Sequence, residues 1–154
     1  FEDNIIIQYM RIAYMEAEKA FSLDEVPVGA IIVNDNKIIG KGFNQCETLK
    51  DPTAHAEILS ITAAANTIGD WRLNNCTIFV TKEPCAMCSG AIANSRIKMI
   101  IFGAYDDKMG CCGSVYNICS DSALNNKVIV KGGYLKKECG AILSEYFFKK
   151  RNNN

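Results

Sequence analysis

Strand-sized apolar runs alternating with helix-sized stretches constrain this chain more than any other feature. The runs "VGAIIV" (28–33), "CTIFVT" (76–81), "MIIFGA" (99–104) and "KVIVKG" (127–132) are short, and the first is mostly β-branched, the pattern of buried strands. "KIIGKGFN" follows the first run after "NDN" (34–36), and two strand-like segments across turn residues predict a hairpin. Residues 4–21 place Ile5, Ile6, Tyr9, Met10, Ala13, Ala17, Ala20 and Phe21 on one helical face through offsets of three and four. Asp51-Pro52 predicts the start of a second helix, with Asp51 as N-cap and Pro52 at the first helical position; Gly69-Asp70 ends it. Pro84 predicts a third helix over "CAMCSGAIAN", a glycine-rich loop leads to a weakly helical stretch at 115–124, and a last helix covers 136–150. The order α-β-β-α-β-α-β-α-β-α implies an α/β fold with a central sheet covered on both faces. There is no internal repeat, and the terminal "NNN" reads as a frayed end.

A chain of 154 residues is most simply one domain, here residues 1–154, and is long enough to bury a core. Seventeen basic side chains balance seventeen acidic ones. Net charge therefore gives no sign of nucleic-acid binding, and any such partner must be held by a local patch. No apolar run reaches the roughly 18 residues of a membrane span, and no signal-peptide pattern is visible. Eight cysteines is a high count, but several, such as Cys76 and Cys139, lie inside element-like stretches. A reduced, cytosolic chain with two metal-binding thiols and six ordinary ones is simpler than a disulfide framework. The adjacent Cys111 and Cys112 read as small packing residues.

The segment "DPTAHAEI" (51–58) holds His55, the only histidine, and Glu57 two positions later. "EPCAMCSG" then brings Cys85 and Cys88 directly after a proline. A catalytic zinc takes three protein ligands and keeps a fourth position open, and His55, Cys85 and Cys88 are three ligands of suitable softness. No second histidine and no second CxxC nominates a fourth ligand, although a structural site could recruit another cysteine. Cys85 is expected in the first turn of the helix set by Pro84, where amides and the helix dipole favour a thiolate. His55 is expected in the first turn of the other helix. Two helix starts at matching ends of adjacent strands can converge on one ion, in the crevice where open α/β sheets place their sites. Glu57 does not share the ligand's direction on a helix. It can border the open position and move protons between an activated water and a substrate.

The spacing H-x-E…P-C-x-x-C is the signature of zinc-dependent nucleobase deaminases. Around it, "EVPVGAIIV", "GKGFN", "DPTAHAEI", "VTKEPCAMCSGAI", "SRI", "IFGAYDDKMG", "GSVYNI" and "CGAILSEYFFKKR" resemble the tRNA-specific adenosine deaminases, which make inosine at the first anticodon position. The likeness runs over about residues 9–151. It implies a cytidine-deaminase-like, three-layer α/β/α sandwich around a mixed sheet of about five strands. It also implies a dimer, either a homodimer or a heterodimer with a paralogous subunit that lacks the glutamate.

The resemblance further implies one Zn2+ per chain on His55, Cys85 and Cys88, with Glu57 carrying protons from activated water to adenine N1 and to departing ammonia. Asn44, closing "GKGFN", matches the asparagine that orients the base, and amides near Ala56 and Cys85 lie near the reacting edge. Asp106 and Lys108 match a loop beside the flipped nucleotide. Phe147, Lys149, Lys150 and Arg151 match an aromatic, basic final helix that stacks on and neutralises the tRNA anticodon loop. Phe148 and Tyr105 depart from the family, standing where bacterial relatives often carry arginine. The adenosine must leave its stack to enter such a pocket. The alternative is a zinc deaminase of a free base or nucleotide, of guanine, cytosine or deoxycytidylate type; a zinc-stabilised binding module would instead close the fourth ligand position. The expected location is the cytoplasm, or the nucleus or an organelle for a eukaryotic source.

Overall fold

Residues 1–153 are described by a computed structural model. The helices are α1 (Asp3–Ser22), α2 (Cys46–Leu49), α3 (Ala56–Ile68), α4 (Ala86–Asn94) and α5 (Lys136–Asn152). The strands are β1 (Gly29–Asn34), β2 (Lys37–Phe43), β3 (Thr77–Lys82), β4 (Met99–Ala104) and β5 (Ile129–Gly132). They form one mixed sheet in the order β2-β1-β3-β4-β5. β1 runs antiparallel to both β2 and β3, and β3, β4 and β5 run parallel.

The hairpin is fixed by chemistry at its tip. Asn34 pairs with Lys37, and the two residues between them, Asp35 and Asn36, have φ of +52° and +62°. Two consecutive positive φ values define the turn that matches strand twist, and Asp and Asn tolerate it better than most residues. Side-chain alternation then sorts the central strands into two apolar layers. Ile31, Val33, Phe79 and Ile101 meet Ile6, Met10 and Ala13 of α1 and Cys139 of α5. Ile32, Ile78, Val80, Ile100 and Phe102 meet Ala56 and Ala64 of α3 and Ile92 of α4. Burying an Ile or Phe side chain contributes about 1.5–3 kcal/mol, so the two sheets of contacts hold the three layers together.

Two glycines let α3 sit unusually close to the sheet edge. A Cβ on Gly40 would lie 2.6 Å from Ser60 O, and one on Gly42 2.6 Å from Ala56 O. Any side chain there would push out the start of α3.

Three sequence expectations shift. The second helix begins at Ala56, not at Pro52. Asp51 spends its carboxylate on an Asx turn, accepting from Thr53 N–H (2.8 Å) and Thr53 Oγ1 (2.7 Å), while Ala54 O is taken by Gln45 N–H (3.0 Å). That leaves residues 51–55 extended or turned. The stretch 115–124 is not helical beyond a single 3-10 turn at Ser122–Leu124, because its backbone groups bond across a loop instead: Ile118 N–H donates to Cys111 O, and Tyr116 O accepts from Gly113 N–H, both 2.9 Å. The short α2 was not foreseen. It forms because the buried Glu25 carboxylate accepts from Glu47 N–H (3.0 Å) and Thr48 N–H (2.6 Å). At the C-terminus Asn152 closes α5 and Asn153 caps it; Asn154 lies outside the described residues.

Candidate metal centre and active site

His55 and Cys85 occupy the same position in two different helices. Each is the N-cap residue, with extended backbone and no side-chain capping bond: φ −74°, ψ 155° for His55 and φ −73°, ψ −179° for Cys85. Both were expected inside the first turn. The cap position suits a ligand better, because the extended backbone turns the side chain off the helix while the first-turn amides beside it stay without intrahelical partners. Cys88 lies in the first turn of α4 itself. The strands that precede the two helices, β2 and β3, are separated by β1 rather than adjacent. They still point the same way, since each is antiparallel to β1, so both helix starts reach one end of the sheet.

The three ligand atoms lie within 4.8 Å of one another. His55 Nδ1 is 3.7 Å from Cys85 Sγ and 3.4 Å from Cys88 Sγ. Hydrogen bonding from Cys88, and then from His55, drops the Cys85 thiol to about 3, while the Cys88 thiol is pushed up. The cluster thus favours one thiolate beside an imidazole, the start of a soft N,S,S donor set. It fits a divalent metal of zinc's preferences. No further His, Cys, Asp or Glu joins the group among the described residues.

The cluster opens into a cleft of about 690 Å³ lined on different sides by Asn44, Ala56, Glu57, Asp106, Phe147 and Lys150. Glu57, in the first turn of α3, is only 4% exposed. Burial pushes its carboxyl up to about 7, which leaves it able to give or take a proton near neutrality. Asn44 donates through Nδ2 to Val26 O (3.3 Å), and its buried Oδ1 has no partner among the described residues. A buried acceptor without a donor is costly, and this one is at the cleft wall.

The remaining sequence candidates divide. Asp106 lines the cleft and caps its own loop, accepting from Lys108 N–H (3.0 Å) and Met109 N–H (3.1 Å) and pairing with Lys82 Nζ (3.0 Å). Burial opposes ionisation there, but these donors win and hold the carboxyl below its ordinary value. Phe147, exposed, and Lys150, half-buried, also line the cleft, with Lys150 Nζ 2.7 Å from Asp24. Lys149 turns to Glu145 (3.3 Å) and stacks over Phe21 (4.8 Å). Lys149, Arg151 and Lys108 do not line the cleft.

Two acidic residues escaped the sequence reading. Glu25 holds α2 against the cleft. Glu83 is 2% exposed and gathers the 106–114 loop: Asp106 N–H and the Ser114 hydroxyl donate to Oε1, and Cys112 N–H (3.1 Å) and Ser114 N–H (3.0 Å) to Oε2. Its only sequence signal was an acid placed between a buried strand and the Pro-Cys that opens α4.

Comparison with known proteins agrees with this geometry. The family model of MafB19-like deaminases matches residues 6–152. A tRNA-specific adenosine deaminase of Aquifex aeolicus is 47% identical over 145 residues, covering 94% of this chain and 95% of the relative. A solved structure from work on A-to-I editing by tRNA:A34 deaminases at the wobble position superposes with a TM-score of 0.85 at 38% identity, covering 88% of this chain and 99% of that one. A guanine deaminase of Bacillus subtilis matches less of the molecule, with a TM-score of 0.61 at 36% identity over 64% of this chain and 63% of its own. Similarity at this level, sustained from one end of the fold to the other, shows that the chain belongs to the tRNA-specific adenosine deaminase family.

Proposed function

We propose that this protein hydrolytically deaminates adenosine to inosine at the wobble position of tRNA. The observation that carries the reading is the clustering of His55, Cys85 and Cys88 beside a buried, proton-ready Glu57, with His55, Cys85 and Glu57 lining one cleft. Family membership supplies the substrate class. Zn2+ is the ion proposed for the three ligands, and when bound it supplies a water made acidic enough to attack at neutral pH. The protein's own residues do the rest. Glu57 accepts a proton from the attacking water, delivers it to ring N1 of adenine, and serves the departing ammonia. Asn44 Oδ1 gains the donor it lacks when a base enters the cleft, which orients the ring. The first-turn amide of Ala56 offers a further donor beside the reacting edge.

For the RNA, Phe147 offers a stacking surface at the rim and Lys150 a phosphate contact. Asp106 shapes the wall beside the extruded nucleotide, and Lys108, Lys149 and Arg151 bind flanking phosphates from outside the cleft. The ion pairs of Lys149 and Lys150 do not oppose this, because exposed pairs are worth only about 0–1 kcal/mol. Residues 1–154 act as one deaminase domain. The proposed assembly is a homodimer, supported by the bacterial source of the similar chain, with a paralogous partner as the other outcome of a mass measurement in solution. No helix among the described residues is long and apolar enough to cross a membrane, and the proposed place of action is the cytoplasm, where tRNA is abundant.

The test is inosine detection in tRNA and in an anticodon stem-loop incubated with the purified chain, beside guanine, cytosine and deoxycytidylate. Inosine at the wobble position supports the reading. Turnover of a free base or nucleotide with an untouched stem-loop would replace it.

A further inference from the structure

Cys112 and Cys119 take no part in the metal centre, yet their sulfurs lie 3.2 Å apart. Both side chains are buried. The backbone fixes them from several directions. Cys112 N–H donates to Glu83 Oε2 (3.1 Å), Ile118 N–H to Cys111 O (2.9 Å) and Val128 N–H to Cys119 O (3.0 Å). Cys112 also faces Asn117 in an isolated antiparallel bridge, across a turn in which Gly113 takes φ +135°. The other polar neighbours of the two sulfurs are Ser89 Oγ, 3.3 Å from Cys112, and Ser89 O, 3.7 Å from Cys119. No metal-ligating group completes a second ion site there among the described residues. Adjacent Cys111 turns its sulfur to Met109 O (3.5 Å) instead.

We propose that Cys112 and Cys119 form a modification site: a reversible intrachain disulfide, made by a hydroperoxide and undone by a dithiol. The sulfurs must approach by only about 1.2 Å to reach the bond length of a disulfide, roughly 2.05 Å. In the reaction one cysteine, as thiolate, attacks the O–O bond, becoming a sulfenic acid and releasing hydroxide. The second thiol attacks that sulfur, the S–S bond forms and water leaves. Hydroxide takes up the proton lost by the first thiol, so two thiols and hydrogen peroxide become one disulfide and two waters. Burial restricts the site to small oxidants. A bond made under peroxide and reversed by dithiols is the usual kind in a reducing compartment. It would fasten the loop that Glu83 gathers, whose near end carries Asp106 and Met109 into the cleft wall.

The experiment treats the full, metal-loaded chain with graded hydrogen peroxide, then alkylates free thiols under denaturing conditions. Chymotrypsin, which cuts after Tyr116, separates the two cysteines, so a bridge joins two peptides and shows a loss of two hydrogens by mass. Metal content is measured in parallel. The expected result is a Cys112–Cys119 link that forms before metal is released, disappears with dithiothreitol, persists in Cys111→Ala and is absent from Cys112→Ala and Cys119→Ala. The mapping of the unmodified chain stands even if a variant folds poorly. Free Cys112 and Cys119 at an oxidant level that already strips the metal, or a link through Cys111, would overturn the proposal.

Discussion

Replacing Glu83 with glutamine changes one oxygen for an NH2 group at the centre of four hydrogen bonds. The amide can be seated in two ways. With nitrogen at the Oε2 position, the amides of Cys112 and Ser114 both face a donor. With nitrogen at the Oε1 position, the Ser114 hydroxyl can rotate to accept, and only Asp106 N–H is orphaned. The second seating is therefore preferred. Its cost is one buried donor left without a partner, about 1–3 kcal/mol, together with the weakening of the surviving bonds from charge-assisted to neutral strength, about 1 kcal/mol each. Removing a buried charge offsets part of this. The net expectation is a destabilisation of about 2–4 kcal/mol, a large share of the stability of a domain this size. Urea unfolding of the two proteins at neutral pH reads it as a lowered midpoint with an unchanged slope. Metal content should hold while tRNA affinity falls, because the loop forms cleft wall and no ligand. A glutamine variant within about 0.5 kcal/mol of the parent, the ordinary range for surface changes, would refute the hydrogen-bond arithmetic and leave the loop pinned by something else.

Glu57→Ala should keep its metal and fold and lose at least about 100- to 10,000-fold in activity, the usual worth of general acid–base catalysis; metal analysis beside single-turnover deamination checks it. Gly42→Ala should cost about 1–3 kcal/mol or more, as overpacking does, and should also lower activity, because the added Cβ meets the Ala56 carbonyl that begins α3; thermal melting with activity at a permissive temperature reads both. Burial works against ionisation of Glu25, but bonds from Thr48 and Glu47 hold its carboxyl below the ordinary value, so its contribution is present above the unfolded pKa of about 4.3 and is lost as pH falls through the folded one. The stability gap between the parent and Glu25→Gln should accordingly be widest near neutrality and narrow in acid; a gap that widens in acid contradicts it. A Lys149, Lys150, Arg151 triple alanine variant should bind tRNA more weakly and with a shallower salt dependence, by a slope of roughly 0.7 per lost phosphate contact; equal slopes would put the RNA on another surface.

The sequence was most legible where one residue type has few uses. The lone His55, the paired cysteines and the intervening Glu57 pointed to residues that the fold does bring together, and the hairpin could be read from residues that accept positive φ. Strands were read to within two residues because β-branched runs bounded by turn residues have little competition. Helix starts were harder. Asp51-Pro52 has the chemistry of a cap, but a side-chain bond to Thr53 consumes it, and only the three-dimensional partner of Ala54 O shows why the helix waits until Ala56. The roles of Glu25 and Glu83 were invisible for a different reason. Each binds amides 22 to 31 residues away, and nothing in a linear pattern distinguishes a buried acid with distant donors from a solvated one.

The origin of the ligands in the chain has a consequence for how the protein is maintained. One segment, opening α3, carries the His55 imidazole and Glu57, the proposed general base; a later one carries both sulfurs, 30 residues further on from His55 to Cys85. An ion seated among them is a detachable staple across that interval, closing a loop whose freedom the unfolded chain would otherwise keep. Unlike a core contact, a staple of this kind has a strength set from outside: it grows with the logarithm of free metal, reaching about 2.7 kcal/mol at a hundredfold excess over the dissociation constant. The lifetime of the enzyme in a cell would then follow the metal supply as closely as its catalysis does, and starvation for the ion would be felt as loss of protein as well as loss of turnover.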